Sequence, residues 1–311
     1  MTNTSLPQLD GGLFLSDGGL ETTLIFLEGV ALPHFAAFVL LRDDAGREQL
    51  RAYYRRYLEL AAATPDAGFV LETPTWRAST DWGRLLGYDQ HALAQANVEA
   101  TRLVSDLRDQ WQSRLAGPVV ISGIVGPRGD GYIADAPNSV ADATDYHRPQ
   151  AAALRDGGVD MLAAVTMTTI AEAIGIARAA SIVGLPVSIS FTVETDGRLP
   201  SGETLREAIE TVDADTRPAY FAVNCAHPTH FDACFDDGGS WTTRIRGIRA
   251  NASTRSHAEL DAATELDIGD PLALGEHYRR LRTSLPALNV LGGCCGTDHR
   301  HLHAIRDAWV Q

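Results

Sequence analysis

Short runs of apolar, β-favouring residues recur along the chain at 13–16, 69–72, 119–123, 161–166, 187–193, 220–224, 245–250 and 289–292, and most of them lack a polar face. Strands that are apolar on both sides need cover on both sides, the condition of a parallel sheet flanked by helices. Helical patterns fill the gaps. The clearest puts Leu50, Tyr53, Tyr54, Tyr57, Leu58 and Ala61 on one face at i, i+3, i+4, i+7, i+8 spacing. Others centre on 92–115, 148–156, 170–183, 203–212, 272–281 and 299–308. The alternation implies right-handed crossovers, and eight strand repeats favour a closed (β/α)8 TIM barrel over an open doubly wound sheet. Such a barrel takes about 250 residues, so roughly 60 of this chain remain for loop insertions, most visibly between the first two strands. No low-complexity linker or long charge block interrupts the pattern, and a single domain over residues 1–311 is expected.

All 26 basic residues are arginine. With no lysine, the chain has no Schiff-base chemistry, internal pyridoxal-phosphate aldimine or P-loop lysine. The net charge of −14 disfavours nucleic acid and anionic membrane as partners. No apolar run reaches the roughly 20 residues of a membrane span, and residues 1–10 lack the basic start and apolar stretch of a signal peptide. A cytoplasmic protein with small-molecule partners is expected; the oligomeric state is open, a homo-oligomer included. Four cysteines are too sparse for a disulfide scaffold, so a reducing compartment with thiols serving metal binding or catalysis fits better.

In a (β/α)8 barrel the chemistry sits just beyond the C-terminal ends of the strands. There the sequence places Asp17-Gly18-Gly19, Thr73 to Arg77, Gly126-Pro127-Arg128, Thr166, Glu194, Asn224-Cys225, Asn251 and Cys294-Cys295. The strongest constellation is Cys225 after strand six with Gly292-Gly293-Cys294-Cys295-Gly296 after strand eight. Adjacent residues on a regular strand point to opposite faces, so Cys294 and Cys295 can share one metal only if the chain leaves the strand there, as flanking glycines allow. Three converging thiolates would hold Zn²⁺ with one tetrahedral position open, the arrangement of a catalytic site. Spacing alone leaves two alternatives: unrelated buried thiols, or a vicinal disulfide.

Taken in order, several segments resemble the zinc-dependent homocysteine S-methyltransferases over nearly the whole chain. They are Leu15-Ser16-Asp17-Gly18-Gly19-Leu20-Glu21-Thr22, Thr75-Trp76-Arg77-Ala78-Ser79, Ser122-Gly123-Ile124-Val125-Gly126-Pro127, Thr195-Asp196-Gly197-Arg198-Leu199, Val223-Asn224-Cys225-Ala226-His227-Pro228 and Gly292-Gly293-Cys294-Cys295-Gly296-Thr297. The pairing of Asn-Cys with Gly-Gly-Cys-Cys-Gly is the specific part. The resemblance implies methyl transfer to a thiol, with Cys225, Cys294 and Cys295 as zinc ligands and no covalent enzyme intermediate. It also implies that Asp17 anchors the amino group of an amino-acid acceptor, although a turn-forming Asp-Gly is the bland alternative. Thr166 and Asn224 join the candidate substrate contacts. S-methylmethionine or S-adenosylmethionine is the expected donor, with Trp76 as a cation-facing aromatic. Arg77 stands where the betaine-using branch has a tyrosine, which argues against betaine.

One departure bears on the acceptor. Where the family has a glutamate at the end of strand four, this chain has Val165. Loss of a charge-assisted hydrogen bond to an ammonium costs roughly 1.5–3 kcal/mol, or about 10- to 100-fold in affinity. That keeps two other readings open: a different acceptor thiol, or a thiol-binding relative without methyl transfer. A histidine-based metal hydrolase is a more distant alternative. Arg77 and Arg128, in loops at the mouth, are either solvated charges or clamps for a substrate carboxylate. Glu172 reads as a surface or helix-start residue, Glu194 as a further candidate for the mouth, and Cys234 as an ordinary thiol. His227 is a candidate neighbour of the metal, and His299, His301 and His303 read as solvated helix residues, with zinc ligation as the alternative.

Overall fold

The computed structural model describes residues 6–134 and 139–311; the first five residues of the segment read above for a leader lie outside them. Among the described residues eight strands form a closed parallel barrel: β1 (Phe14–Leu15), β2 (Gly68–Glu72), β3 (Val119–Val125), β4 (Met161–Met167), β5 (Val187–Phe191), β6 (Tyr220–Asn224), β7 (Ile245–Ala250) and β8 (Val290–Gly293). Each pairs with the next in sequence, and Phe14 closes the ring by aligning with Gly68 on one side and Val290 on the other. The (β/α)8 architecture is as the alternation implies. No described helix is long and apolar enough to cross a membrane.

Strand periodicity divides the barrel interior into layers. Phe14, Val70, Val120, Met161, Tyr220 and Val290, joined by Leu6, form an apolar cluster of their own at the N-terminal end. Two residues further along the same faces stand Glu72, Ser122, Ala163, Ala222 and Gly292, and four residues further Val165 and Asn224. The interior thus changes from apolar to polar toward the mouth. The outward residues Leu15, Leu71, Ile121, Leu162, Ile189, Val223, Ile248 and Leu291 belong instead to the large core beneath the helices.

The long insertion does fall between β1 and β2, and it contains the helix Asp44–Ala62, whose N-terminus is capped by the Asp43 carboxylate on Gly46 N at 2.7 Å. Its Leu50, Tyr53, Tyr54, Tyr57, Leu58 and Ala61 are all buried, as the spacing requires. One helix differs from expectation. The segment expected at 148–156 begins at Val140, where Ser139 and Asp142 build a capping box, and it runs through Pro149 to Gly157. A proline inside a helix ordinarily ends it; here the buried face of Ala143, Ala151 and Leu154 holds both sides together. β5 stops at Phe191, short of the expected end at 193, and β4 continues to Met167 with a register shift after Ala164.

Candidate metal centre

Cys225 follows β6 in a left-handed backbone conformation, φ 58°. For a residue with a side chain this costs roughly 1–2 kcal/mol, and its surroundings hold it there. The Cys225 carbonyl accepts from Asn251 Nδ2 at 2.9 Å and lies 2.8 Å from His257 Nε2, while its amide donates to the Arg249 carbonyl at 3.1 Å. The adjacent pair leaves β8 by a turn. Cys294 N donates to Ala250 O at 2.8 Å and Thr297 N to Cys294 O at 3.0 Å. Gly296 then takes φ 78°, where a Cβ would lie 2.6 Å from the Asp267 carbonyl. That turn brings two neighbouring cysteines to one point.

The Cys225 sulfur lies 2.9 Å from Cys294 Sγ and 3.6 Å from Cys295 Sγ, and all three lie within 4.8 Å of one another. All three are free thiols rather than half of a disulfide. A tetrahedral ion with Zn–S bonds near 2.3 Å wants its sulfurs about 3.8 Å apart, so small side-chain adjustments suffice. Three soft donors that leave one side open to a cavity fit zinc, and Zn²⁺ is the cofactor this cluster supports. Thiol donation from Cys225 and Cys295, helped by the Arg249 charge, holds the Cys294 thiol well below its ordinary value, whereas Cys225 is pushed well above it. Tyr132 stands over the cluster. Its hydroxyl lies 3.5 Å from Cys295 Sγ and 3.6 Å from Cys225 Sγ, and its ring stacks on His257 at 4.1 Å.

Below the sulfurs lies a cavity walled by Asp17, Glu21, Tyr54, Glu72, Trp76, Val165, Thr166, Asn224 and Arg249. Its charged floor joins Asp17 to two residues that are not among the sequence candidates, Arg249 and Glu72. Arg249 projects from β7, bonds Asp17 Oδ1 at 2.9 Å through Nη2, pairs with Glu72 through Nη1, and donates from Nε to Gly293 O at 3.2 Å. Its side chain is 15% exposed, and those of Asp17 and Glu72 are 5% and 12% exposed. Tyr53 supports this floor by donating to the Gly18 carbonyl at 2.9 Å. Alternation along β7 puts Arg249 inside the barrel, and that is the signal sequence reading could have used.

Burial raises the Glu21 carboxyl from 4.5 to about 7, and it raises Glu72 to about 7 despite the opposing pull of Arg249. A carboxyl raised on folding stabilises the protein fully below the unfolded value of 4.5, and that contribution fades as pH rises through 7. The metal-free protein is therefore expected to lose stability between pH 5 and 7.5. In Glu21→Gln the loss should be smaller by on the order of 1–3 kcal/mol. Urea unfolding across that range measures it, and parallel profiles for the two proteins would contradict the assignment.

Of the residues expected at the mouth, Asp17, Trp76, Thr166 and Asn224 line the cavity, and so does Val165. Thr166 and Asn224 bond reciprocally: Thr166 N donates to Asn224 Oδ1 and Asn224 Nδ2 to Thr166 Oγ1, each at 2.8 Å. Arg77 and Arg128 do not line it. The Arg77 guanidinium is sandwiched between the rings of Trp76 and Trp82 at 3.9 and 3.8 Å and donates to Gly129 O. It is therefore buried rather than solvated, and it occupies a face of the indole expected to meet a cationic donor. Arg128 is turned to Asp81 at 2.8 Å and lies over the Tyr146 ring.

Glu172 starts a helix but is buried, not superficial: it lies 2.8 Å from His147 Nε2 and accepts from Arg128 N. His301 is also buried, closing a capping box with Asp298. Glu194 faces His257 Nδ1 at 3.1 Å, His227 caps a short helix through Thr229 N, and Cys234 donates to Gly197 O.

Homocysteine S-methyltransferase 1 of Brassica oleracea var. italica is 24% identical over 317 residues, spanning 95% of this chain and 93% of its own. The homocysteine S-methyltransferase of Escherichia coli (strain K12) is 26% identical over 206 residues, 61% of this chain and 63% of its own. The crystal structure of the Escherichia coli homocysteine methyltransferase MmuM in its metallated form shares the fold, with a TM-score of 0.76 at 21% identity over 97% of this chain and 98% of that one. The family described as Homocysteine S-methyltransferase matches residues 14–309. A match of that extent, on a barrel whose mouth gathers three sulfurs, means that the chain belongs to the homocysteine S-methyltransferase family.

Proposed function

We propose that this protein, a single barrel domain acting in the cytoplasm, transfers a methyl group from a sulfonium donor, S-methylmethionine or S-adenosylmethionine, to the thiol of homocysteine. The observation that carries the reading is the convergence of Cys225, Cys294 and Cys295 on a cavity with room on its open side. Cys225, Cys294 and Cys295 would hold the zinc, which would supply a lowered pKa to an acceptor thiol at neutral pH. In the transfer the acceptor sulfur forms a bond to the methyl carbon as the donor's S–C bond breaks. The bonding pair stays on the donor sulfur, which leaves as a neutral thioether, and the thiol proton passes to solvent. The chain's own residues supply position. Thr166 and Asn224 hold each other in the wall between β4 and β6, and Trp76 lines the same cavity.

Val165 favours a second acceptor reading, a thiol other than homocysteine, because it presents an apolar side chain to the cavity. Zinc-loaded protein incubated with homocysteine and S-methylmethionine is expected to form methionine, detected by mass spectrometry with isotopically labelled homocysteine, and Cys294→Ser to form none. Product that persists in Cys294→Ser would remove the metal-thiolate reading. No product with zinc bound would move the search to other thiols and donors.

A further inference from the structure

Methyl transfer puts acceptor sulfur, methyl carbon and donor sulfur on one line, so the donor needs its own place beside the metal thiolates. Trp76 is the aromatic expected from the sequence to meet it. Its indole is already covered: the Arg77 guanidinium stacks on the ring at 3.9 Å, and Gly126 and Gly131 pack so closely that a Cβ on them would lie 2.5 and 3.1 Å from ring atoms. Resting on the thiol methyltransferase reading above, we propose that the donor docks instead in a second cavity, which shares Cys295 and Thr22 with the first and takes an alkylsulfonium of net positive charge.

Because Cys295 walls both cavities, the second one opens directly onto the metal cluster. Tyr132 stands at the junction, with its hydroxyl 3.5 Å from Cys295 Sγ and its ring, backed by His257, forming part of the second wall. Phe26 and Phe35, from the insertion after β1, line the same cavity and are 41% and 43% exposed. Large rings left in water beside a cavity lack apolar cover that a bound ligand supplies. Their faces also attract a soft, weakly hydrated cation. Charge points the same way. Asp261 and Glu265 line the cavity and enter no ion pair among the described residues, whereas Asp267 is met by Arg255 at 3.5 Å and Ser253 at 2.7 Å. No arginine or histidine is among the described residues of this wall. S-methylmethionine and S-adenosylmethionine each carry a sulfonium and an ammonium against one carboxylate, so both are net cations that suit it.

The test is steady-state turnover of the zinc-loaded protein with each of these donors in turn, each substrate varied at a saturating level of the other. Phe26→Leu combined with Phe35→Leu keeps the apolar bulk and removes the ring faces. It is expected to raise KM for every donor turned over by about 5- to 30-fold, with KM for homocysteine unchanged. Asp261→Asn combined with Glu265→Gln should raise donor KM about 2- to 10-fold, and less so at high salt, because both carboxylates are exposed. All four side chains lie at the surface, so the variants keep the fold. Donor KM unchanged in both double variants overturns the proposal, and so does a rise in KM for homocysteine instead. A rise from the aromatic pair that is confined to S-adenosylmethionine would put its adenine on the rings and overturn the assignment to the sulfonium. If the unsubstituted protein forms no product with either donor, the methyltransferase reading fails and this site with it, a result distinct from an unchanged KM.

Discussion

Replacing Cys225 with serine is expected to lower zinc affinity by roughly 10²- to 10³-fold. Structural zinc sites with four ligands are worth on the order of 10–16 kcal/mol, so each ligand accounts for about 2.5–4 kcal/mol. Serine keeps the shape but offers a harder, mostly protonated oxygen in place of a thiolate. The left-handed backbone at Cys225, pinned through its carbonyl by Asn251 and His257, holds position 225 where it is in the serine variant. Metal content after dialysis against a chelator of known affinity should fall from one zinc per chain toward zero, and methyl transfer should fall with it. Cys234→Ser is the control: that half-buried thiol touches Gly197 O, away from the cavity, and zinc binding should not change. Full zinc retention by Cys225→Ser would show that the metal sits elsewhere.

Arg249→Met is expected to destabilise the metal-free fold by about 3–5 kcal/mol, because it leaves Asp17 and Glu72 buried without their cation. The penalty has a pH signature. Burial already raises both carboxyls, and removing Arg249 removes the main opposing influence. Protonation then becomes the escape, so the loss should be larger at pH 8 than at pH 5. Combining Arg249→Met with Asp17→Asn and Glu72→Gln removes the stranded charges and should restore much of the stability. Urea unfolding of the single and triple variants at both pH values decides it. A single variant as stable as the parent would mean that the pair contributes only surface-like electrostatics.

The barrel itself was legible because its signals are local. Doubly apolar runs such as Met161–Met167 and the periodic face of Asp44–Ala62 report what each segment must bury, whatever the rest of the chain does. The cysteines were legible as a hypothesis, since the barrel topology puts the residues after β6 and β8 at one mouth. What stayed hidden was pairing across the ring. Arg249 and Asp17 are 232 positions apart, and their contact exists only because β8 and β1 close beside β7. Arg77 and Arg128 look alike in sequence, as arginines in mouth loops, yet Trp82 and Asp81 on a short intervening helix draw their guanidiniums elsewhere.

The alternation of elements, the faces they bury and the arrival of Cys225, Cys294 and Cys295 at one mouth as candidates follow from periodicity and chain order, which neighbouring residues carry. That Asp17 and Glu72 meet one guanidinium depended on the closed barrel. Charge balance in a buried site depends on distances between segments far apart in the chain, and barrel closure sets those distances.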